Sequence, residues 1–125
     1  VDYNVIPAVV YTQPEVASVG FTQSQLEQNN IPFNVGKFPF NANSRAKAVH
    51  ETVGFVKLLS HAQSNLLLGA HIIGSQAGTM IAQLAQAMQA KLKVSDIINT
   101  CCAHPTYNEA IKEAAMLCLG KTIHM

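Results

Sequence analysis

The segment Cys101-Cys102-Ala103-His104-Pro105-Thr106-Tyr107-Asn108-Glu109-Ala110 carries the side chains best suited to chemistry. If a helix begins just after His104, Glu109 lies one turn in and its carboxylate can face the imidazole. A carboxylate on one imidazole nitrogen fixes the tautomer and leaves the other nitrogen as the better base. Pro105 restricts His104 to an extended backbone, which aims the ring away from the helix. Thr106 and Glu109 equally match a capping box, a Ser or Thr followed three residues later by Glu or Gln, with His104 an ordinary loop residue. Spacing alone leaves the acid–base pair and the structural cap both open.

The remaining reactive side chains point to structure. Cys101 and Cys102 are adjacent, a spacing that forms only strained disulfides, and no Cys-x-x-Cys is present. Reduced, structural thiols are expected. The third cysteine, Cys118, makes an odd count in no framework spacing, which points to a reducing compartment. Cys101, Cys102 and His104 lack a fourth ligand at finger-like spacing, so no metal site is expected. Gly74-Ser75-Gln76-Ala77-Gly78 lacks Gly-Lys-Ser/Thr and is not Gly-x-Gly-x-x-Gly, so it reads as a strand-to-helix turn. His50, His61, His71 and His124 are scattered and read as surface or core residues. The chain thus offers an acid–base pair without a redox centre or cofactor loop. If His104 is catalytic, its reaction partner comes from elsewhere.

The elements that must position this segment fit in one domain, residues 1–125. Charged residues make up 12% of the chain, about half the usual share of roughly 25%. From Leu58 to Ala90 there is no Asp, Glu, Lys or Arg, a first sign that much of this surface is covered. Net charge is +1 and no Lys/Arg stripe appears, which argues against nucleic acid as a partner. The most apolar run, Leu66 to Ile73, is interrupted by Gly69 and His71 and falls far short of the ~20 residues of a membrane-spanning helix. The start, Val1-Asp2-Tyr3-Asn4, has no basic region typical of a signal peptide and no Met, which predicts a fragment or a processed chain.

Strands are expected at Ala8 to Thr12, Glu15 to Val19, Asn34 to Phe40, Val53 to Ser60 and Asn65 to Ile73, from β-branched and alternating residues. The last two flank the short polar stretch His61 to Asn65 and form an antiparallel hairpin. Apolar residues on both faces place that hairpin centrally in its sheet. Thr22 and Gln25 form a capping box for a helix ending near Gln28. Asn41 to Lys47 reads as a loop or short helical turn. The longest helix spans Gly78 to Leu92, with Met80, Ile81, Leu84, Ala85, Met88 and Leu92 on one apolar stripe. Its opposite face, Gln83, Gln86 and Gln89, is uncharged. Ser95 caps a short helix through Ile98, and a last helix starts after Pro105 with Thr106 as N-cap. Strands followed by helices give the α+β class, an antiparallel sheet with helices packed on one face.

Several segments together resemble one family. They are Ile6-Pro7-Ala8-Val9-Val10-Tyr11-Thr12, Pro14-Glu15-Val16-Ala17-Ser18-Val19-Gly20, Asn43-Ser44-Arg45-Ala46-Lys47, Gly69-Ala70-His71-Ile72-Ile73-Gly74, and His104-Pro105-Thr106 with Glu109-Ala110. From Ile6 to Ala115 the chain resembles the C-terminal dimerisation (interface) domain of the dihydrolipoamide dehydrogenases. These are flavin-dependent pyridine nucleotide–disulfide oxidoreductases. The His-Pro-Thr-x-x-Glu segment is common to several disulfide reductases. Pro-Glu-Val-Ala-Ser-Val-Gly and Asn-Ser-Arg-Ala-Lys favour the dihydrolipoamide enzymes over glutathione or thioredoxin reductases.

The resemblance implies that FAD, NAD and the redox disulfide belong to domains N-terminal to this one, with these residues forming about the last quarter of a longer chain. It implies a homodimer in which His104 of one subunit reaches the flavin and disulfide of the other. His104 would take a proton from a dihydrolipoamide thiol, Glu109 would orient His104, and the cis His104-Pro105 backbone would lie beside the partner's flavin. The isolated domain would be inactive. Lipoyl domains and 2-oxoacid dehydrogenase complexes are the implied partners, in the bacterial cytoplasm or the mitochondrial matrix. The uncharged window would then meet partly the second subunit and partly the flavin and nucleotide domains. A sister reductase of glutathione or thioredoxin type, or a pure assembly module, are the alternatives.

Overall fold

The structure, a computed structural model, describes residues 5–120. The expected features at Val1-Asp2-Tyr3-Asn4 and at His124 lie outside the described residues. Five strands form: β1 (Ala8–Val10), β2 (Glu15–Gly20), β3 (Phe33–Pro39), β4 (Phe55–His61) and β5 (Leu67–Gly74). They make one antiparallel sheet in the order β1-β2-β5-β4-β3. The hairpin expected around residues 61–65 is β4–β5, with β5 in the middle of the sheet and a register shift between Leu59 and Ser60. The helices are α1 (Gln23–Gln28), α2 (Ser44–Ala48), α3 (Ala77–Gln89), α4 (Val94–Ile98) and α5 (Glu109–Cys118). The α+β class with an antiparallel sheet is therefore as the sequence implies.

Side-chain alternation divides the sheet into two faces. Ala17 and Val19 of β2, Ala70 and Ile72 of β5, and Val56 and Leu58 of β4 all point into one core. That core also takes Met80, Ile81 and Leu84 from α3 and Ile111 and Ala114 from α5. Each fully buried Val, Ile, Leu or Met contributes about 1.5–3 kcal/mol relative to exposure. Gly36 of β3 lets α5 approach the strand closely, because an added Cβ would collide with the Ala114 carbonyl and the Cys118 backbone. On the other face, the loop leading into α1 runs over Gly69. The Phe21 carbonyl occupies the space of a missing side chain there and accepts from His71 Nε2 at 3.1 Å. Lys57 Nζ donates to Gln23 Oε1 at 2.8 Å on that same face.

Helix ends explain most differences from the expected boundaries. Thr22 and Gln25 form the expected reciprocal capping box, at 3.1 and 2.9 Å. The helix through Ile98 begins earlier than Ser95. Its N-cap is Lys93, whose N–H donates to Asp96 Oδ2 at 2.8 Å, so the carboxylate rather than the serine closes the end. The longest helix stops at Gln89, and Leu92 falls beyond it, where its carbonyl accepts from the Leu67 N–H. The N-terminus of α3 receives the Glu15 carboxylate, which accepts from the Gly78 N–H at 2.9 Å and complements the helix dipole. Val53 lies before β4 and is 67% exposed, so the expected strand loses its first residues. Tyr11 and Thr12 likewise fall outside β1.

Much of the uncharged window is this fold's own interior. Leu58, Leu59, Leu67, Ala70, Ile72, Met80, Ile81, Leu84 and Ala87 are all buried. The Gln83, Gln86 and Gln89 face of α3 remains exposed.

Candidate active site

His104 precedes α5 on a turn that three neighbouring elements hold. The His104–Pro105 peptide is cis. Just after it, consecutive residues are each tied to a different part of the fold. The Thr106 carbonyl accepts from Asn43 Nδ2 at 3.0 Å. The Tyr107 hydroxyl donates to Glu51 Oε2 at 3.2 Å, and its ring meets Phe40 edge-on with centroids 6.1 Å apart. Asn108 Nδ2 donates to Gln83 Oε1 of α3 at 2.7 Å. Burial chiefly pushes the Tyr107 phenol up, so it stays a neutral donor.

This turn brings together the two expected site residues. His104 Nδ1 lies 3.0 Å from Glu109 Oε1 and 3.1 Å from Oε2. A carboxylate accepts only, so Nδ1 carries a proton, and in the neutral ring Nε2 is the nitrogen with the lone pair. The His104 side chain is 68% exposed and Glu109 31%. The imidazole therefore stands open to whatever lies beside the chain. Glu109 Oε1 also accepts the Thr106 N–H at 2.9 Å. That backbone hydrogen bond first, and the one from His104 second, hold the Glu109 carboxyl below the usual carboxylate range.

The capping expectation is half met. Glu109 reaches back to the Thr106 N–H, but the Thr106 hydroxyl donates instead to the Ala103 carbonyl at 2.9 Å. The helix accordingly begins at Glu109 with Asn108 as its N-cap, two residues later than a Thr106 cap implies. The two readings of Glu109 are therefore not exclusive, since one carboxylate orders the turn and grips the imidazole. Pro105, the other expected site residue, is exposed beside His104. It borders a groove shared with Arg45, Ser75, Gln76 and Thr79.

Because the folded carboxyl titrates below its unfolded value, Glu109 stabilises the fold fully above the ordinary carboxylate pKa. That contribution is lost as the pH falls through the lowered folded value. Glu109→Gln removes it at all pH. The melting-temperature gap between the two proteins is thus expected at neutral pH, should begin to narrow near the ordinary carboxylate pKa, and should close only once the pH is below the lowered folded value. A gap that persists unchanged in acid would contradict this.

The cysteines are free, with Cys101 exposed, Cys102 half-buried and Cys118 buried. Burial pushes the Cys118 thiol up, and its Sγ donates to the Leu58 carbonyl at 3.5 Å. No group of three or more His, Cys, Asp or Glu side chains is placed to hold a metal among the described residues. No helix among them is long and apolar enough to cross a membrane. Asn43 was not singled out as a site residue. Its local signal was present, since an Asn three residues before Ala46 is a helix N-cap pattern. Its link to Thr106 was not visible, because the two lie 63 residues apart.

Comparisons with known proteins identify the family. The family described as pyridine nucleotide-disulphide oxidoreductase, dimerisation domain, matches residues 6–115. Dihydrolipoyl dehydrogenase of Trypanosoma brucei brucei is 52% identical over 124 residues, covering 99% of this chain and 26% of that protein. The mitochondrial dihydrolipoyl dehydrogenase 2 of Arabidopsis thaliana is 50% identical over 125 residues, covering 100% of this chain and 25% of that protein. The HOCl-induced flavoprotein disulfide reductase RclA of Escherichia coli superposes with a TM-score of 0.86 at 25% identity, covering 90% of this chain and 26% of that one. The chain thus spans about a quarter of the length of the curated relatives it matches. With the match running over nearly its whole length, the chain belongs to the dimerisation-domain family of the pyridine nucleotide–disulphide oxidoreductases.

Proposed function

We propose that this domain serves a dihydrolipoamide dehydrogenase and lends His104 and Glu109 to the active site of the partner subunit. The observation that carries the proposal is the oriented pair itself: Nδ1 engaged by Glu109, Nε2 free, and the ring exposed. Among the described residues this base has no disulfide to act on, since Cys101, Cys102 and Cys118 are free thiols. A dimerisation domain brings two copies together, which supplies the missing disulfide from the second subunit.

His104 Nε2 takes the proton of one dihydrolipoamide thiol. The resulting thiolate attacks one sulfur of the partner's disulfide, forming a mixed disulfide and expelling the other sulfur as a thiolate. The imidazolium stabilises that thiolate, and Glu109 supports the imidazolium through Nδ1. The second substrate thiol then displaces the enzyme sulfur, releasing the oxidised lipoamide ring and a reduced enzyme dithiol. FAD and NAD, bound by other domains, supply the electron relay that reoxidises it. Pro105, exposed beside His104, is the surface that would face the partner's flavin. Without those domains the isolated chain is inactive. The exposed amide face of α3 belongs to the surface that other subunits or domains cover. Lipoyl domains of 2-oxoacid dehydrogenase complexes deliver the substrate, in the mitochondrial matrix, in keeping with the Arabidopsis relative named as mitochondrial, or in a bacterial cytoplasm.

The full-length enzyme assayed with dihydrolipoamide and NAD, and separately with glutathione disulfide and a reduced nicotinamide, tests this. Turnover with dihydrolipoamide is expected to dominate. Turnover with glutathione disulfide alone would instead assign the domain to a sister reductase.

A further inference from the structure

We propose that Asn43 is a positioning residue for the His104–Glu109 pair, holding the turn between them in the geometry that lets the carboxylate meet the imidazole. The inference rests on the function proposed for that pair. Asn43 is 4% exposed and, with Ser60, makes up the buried polar residues among those described. A buried amide is costly unless its donor and acceptor are both engaged. Asn43 Oδ1 accepts the Ala46 N–H at 2.9 Å, capping α2, and Nδ2 donates to the Thr106 carbonyl at 3.0 Å. One partner can only donate and the other can only accept, so the orientation of the amide is fixed.

Thr106 is consequently gripped on both of its backbone polar groups. Asn43 holds its carbonyl, and Glu109 Oε1 accepts its N–H at 2.9 Å. That same oxygen is the one 3.0 Å from His104 Nδ1. A continuous chain of hydrogen bonds therefore runs from Asn43 through Thr106 and Glu109 to His104, and only its first member is buried. The other ties on this turn, Tyr107 to Glu51 and Asn108 to Gln83, are exposed, where water competes for the same groups. The Asn-Ser-Arg-Ala-Lys segment thus acts on the site from 63 residues away, through one side chain.

The cap and the clamp are separable. Asn43→Asp keeps an oxygen for the Ala46 N–H but cannot donate to the Thr106 carbonyl and repels it. Asn43→Ser keeps a hydroxyl for the cap, adds no charge, and is too short to span both partners. In the full-length enzyme both variants are expected to keep normal flavin content, with a lowered melting temperature because the Thr106 carbonyl loses its buried donor. Both should lower kcat with dihydrolipoamide by about tenfold, the scale of a misplaced but present catalytic group, with the KM for NAD unchanged. Placed on a Glu109→Gln background, Asn43→Asp is expected to cost less than about twofold, since its effect passes through Glu109. Wild-type turnover in both single variants, or the same tenfold loss on the Glu109→Gln background, would overturn the inference. His104→Gln in the same assay separates the two levels. Near-normal turnover there would remove the function on which the inference rests, whereas its loss beside unaffected Asn43 variants would count against Asn43 alone.

Discussion

Replacing His104 with Gln in the full-length enzyme is expected to lower dihydrolipoamide turnover by about 10²–10⁴-fold, the range for losing a general base. Gln can still donate an N–H to Glu109, so the turn keeps its hydrogen bond. What it lacks is a nitrogen able to take the thiol proton. The effect therefore belongs to chemistry rather than folding, and flavin content and melting temperature should match the parent. Steady-state formation of reduced nicotinamide at saturating dihydrolipoamide measures it. Turnover within a few-fold of the parent would show that the exposed imidazole is not the base.

The largest effect on stability is expected from Ile111→Ala. Ile111 follows Glu109 by two residues on α5, is fully buried, and belongs to the core that α5 shares with the sheet. Truncating a buried Ile to Ala costs about 2–5 kcal/mol, as lost burial plus the cavity left behind. Relaxation into that cavity is limited here, because α5 already sits against Gly36 with no space for an added Cβ. Denaturant unfolding of the two proteins checks this. A loss below about 1 kcal/mol would mean that the helix carrying Glu109 is less firmly seated than its burial implies.

The sheet was legible because its information is local. Alternation in β4 and β5 and the polar stretch between them specify a hairpin, and apolar residues on both faces place it centrally. The stripe on α3 likewise follows from its 3.6-residue period. Helix starts were less legible, since several side chains compete for each one. Ser95 and Thr106 both look like N-caps in sequence, yet Asp96 reaches back to the Lys93 N–H and the Thr106 hydroxyl turns to Ala103. Of the site, the spacing of His104 and Glu109 allowed both a pair and a helix cap, and only the folded turn brings the two together in one carboxylate. Asn43 could not be linked to them, since a contact spanning 63 residues depends on how α2 docks beside the turn. The low charge of residues 58–90 also changed meaning in part. Many of these residues are buried within this domain, and the exposed glutamines of α3 are what remains for other surfaces.

The proposed function stands on His104 acting across the dimer, and mixed dimers test that most directly. One subunit carries His104→Gln with an intact redox disulfide; the other keeps His104 but lacks a cysteine of that disulfide. Each variant is expected to be inactive as a homodimer. If His104 serves the partner, the mixed dimer contains one complete site of two, and about half of the parent turnover per dimer is expected. A mixed dimer as inactive as either homodimer would place His104 and the disulfide in the same subunit and contradict the proposal.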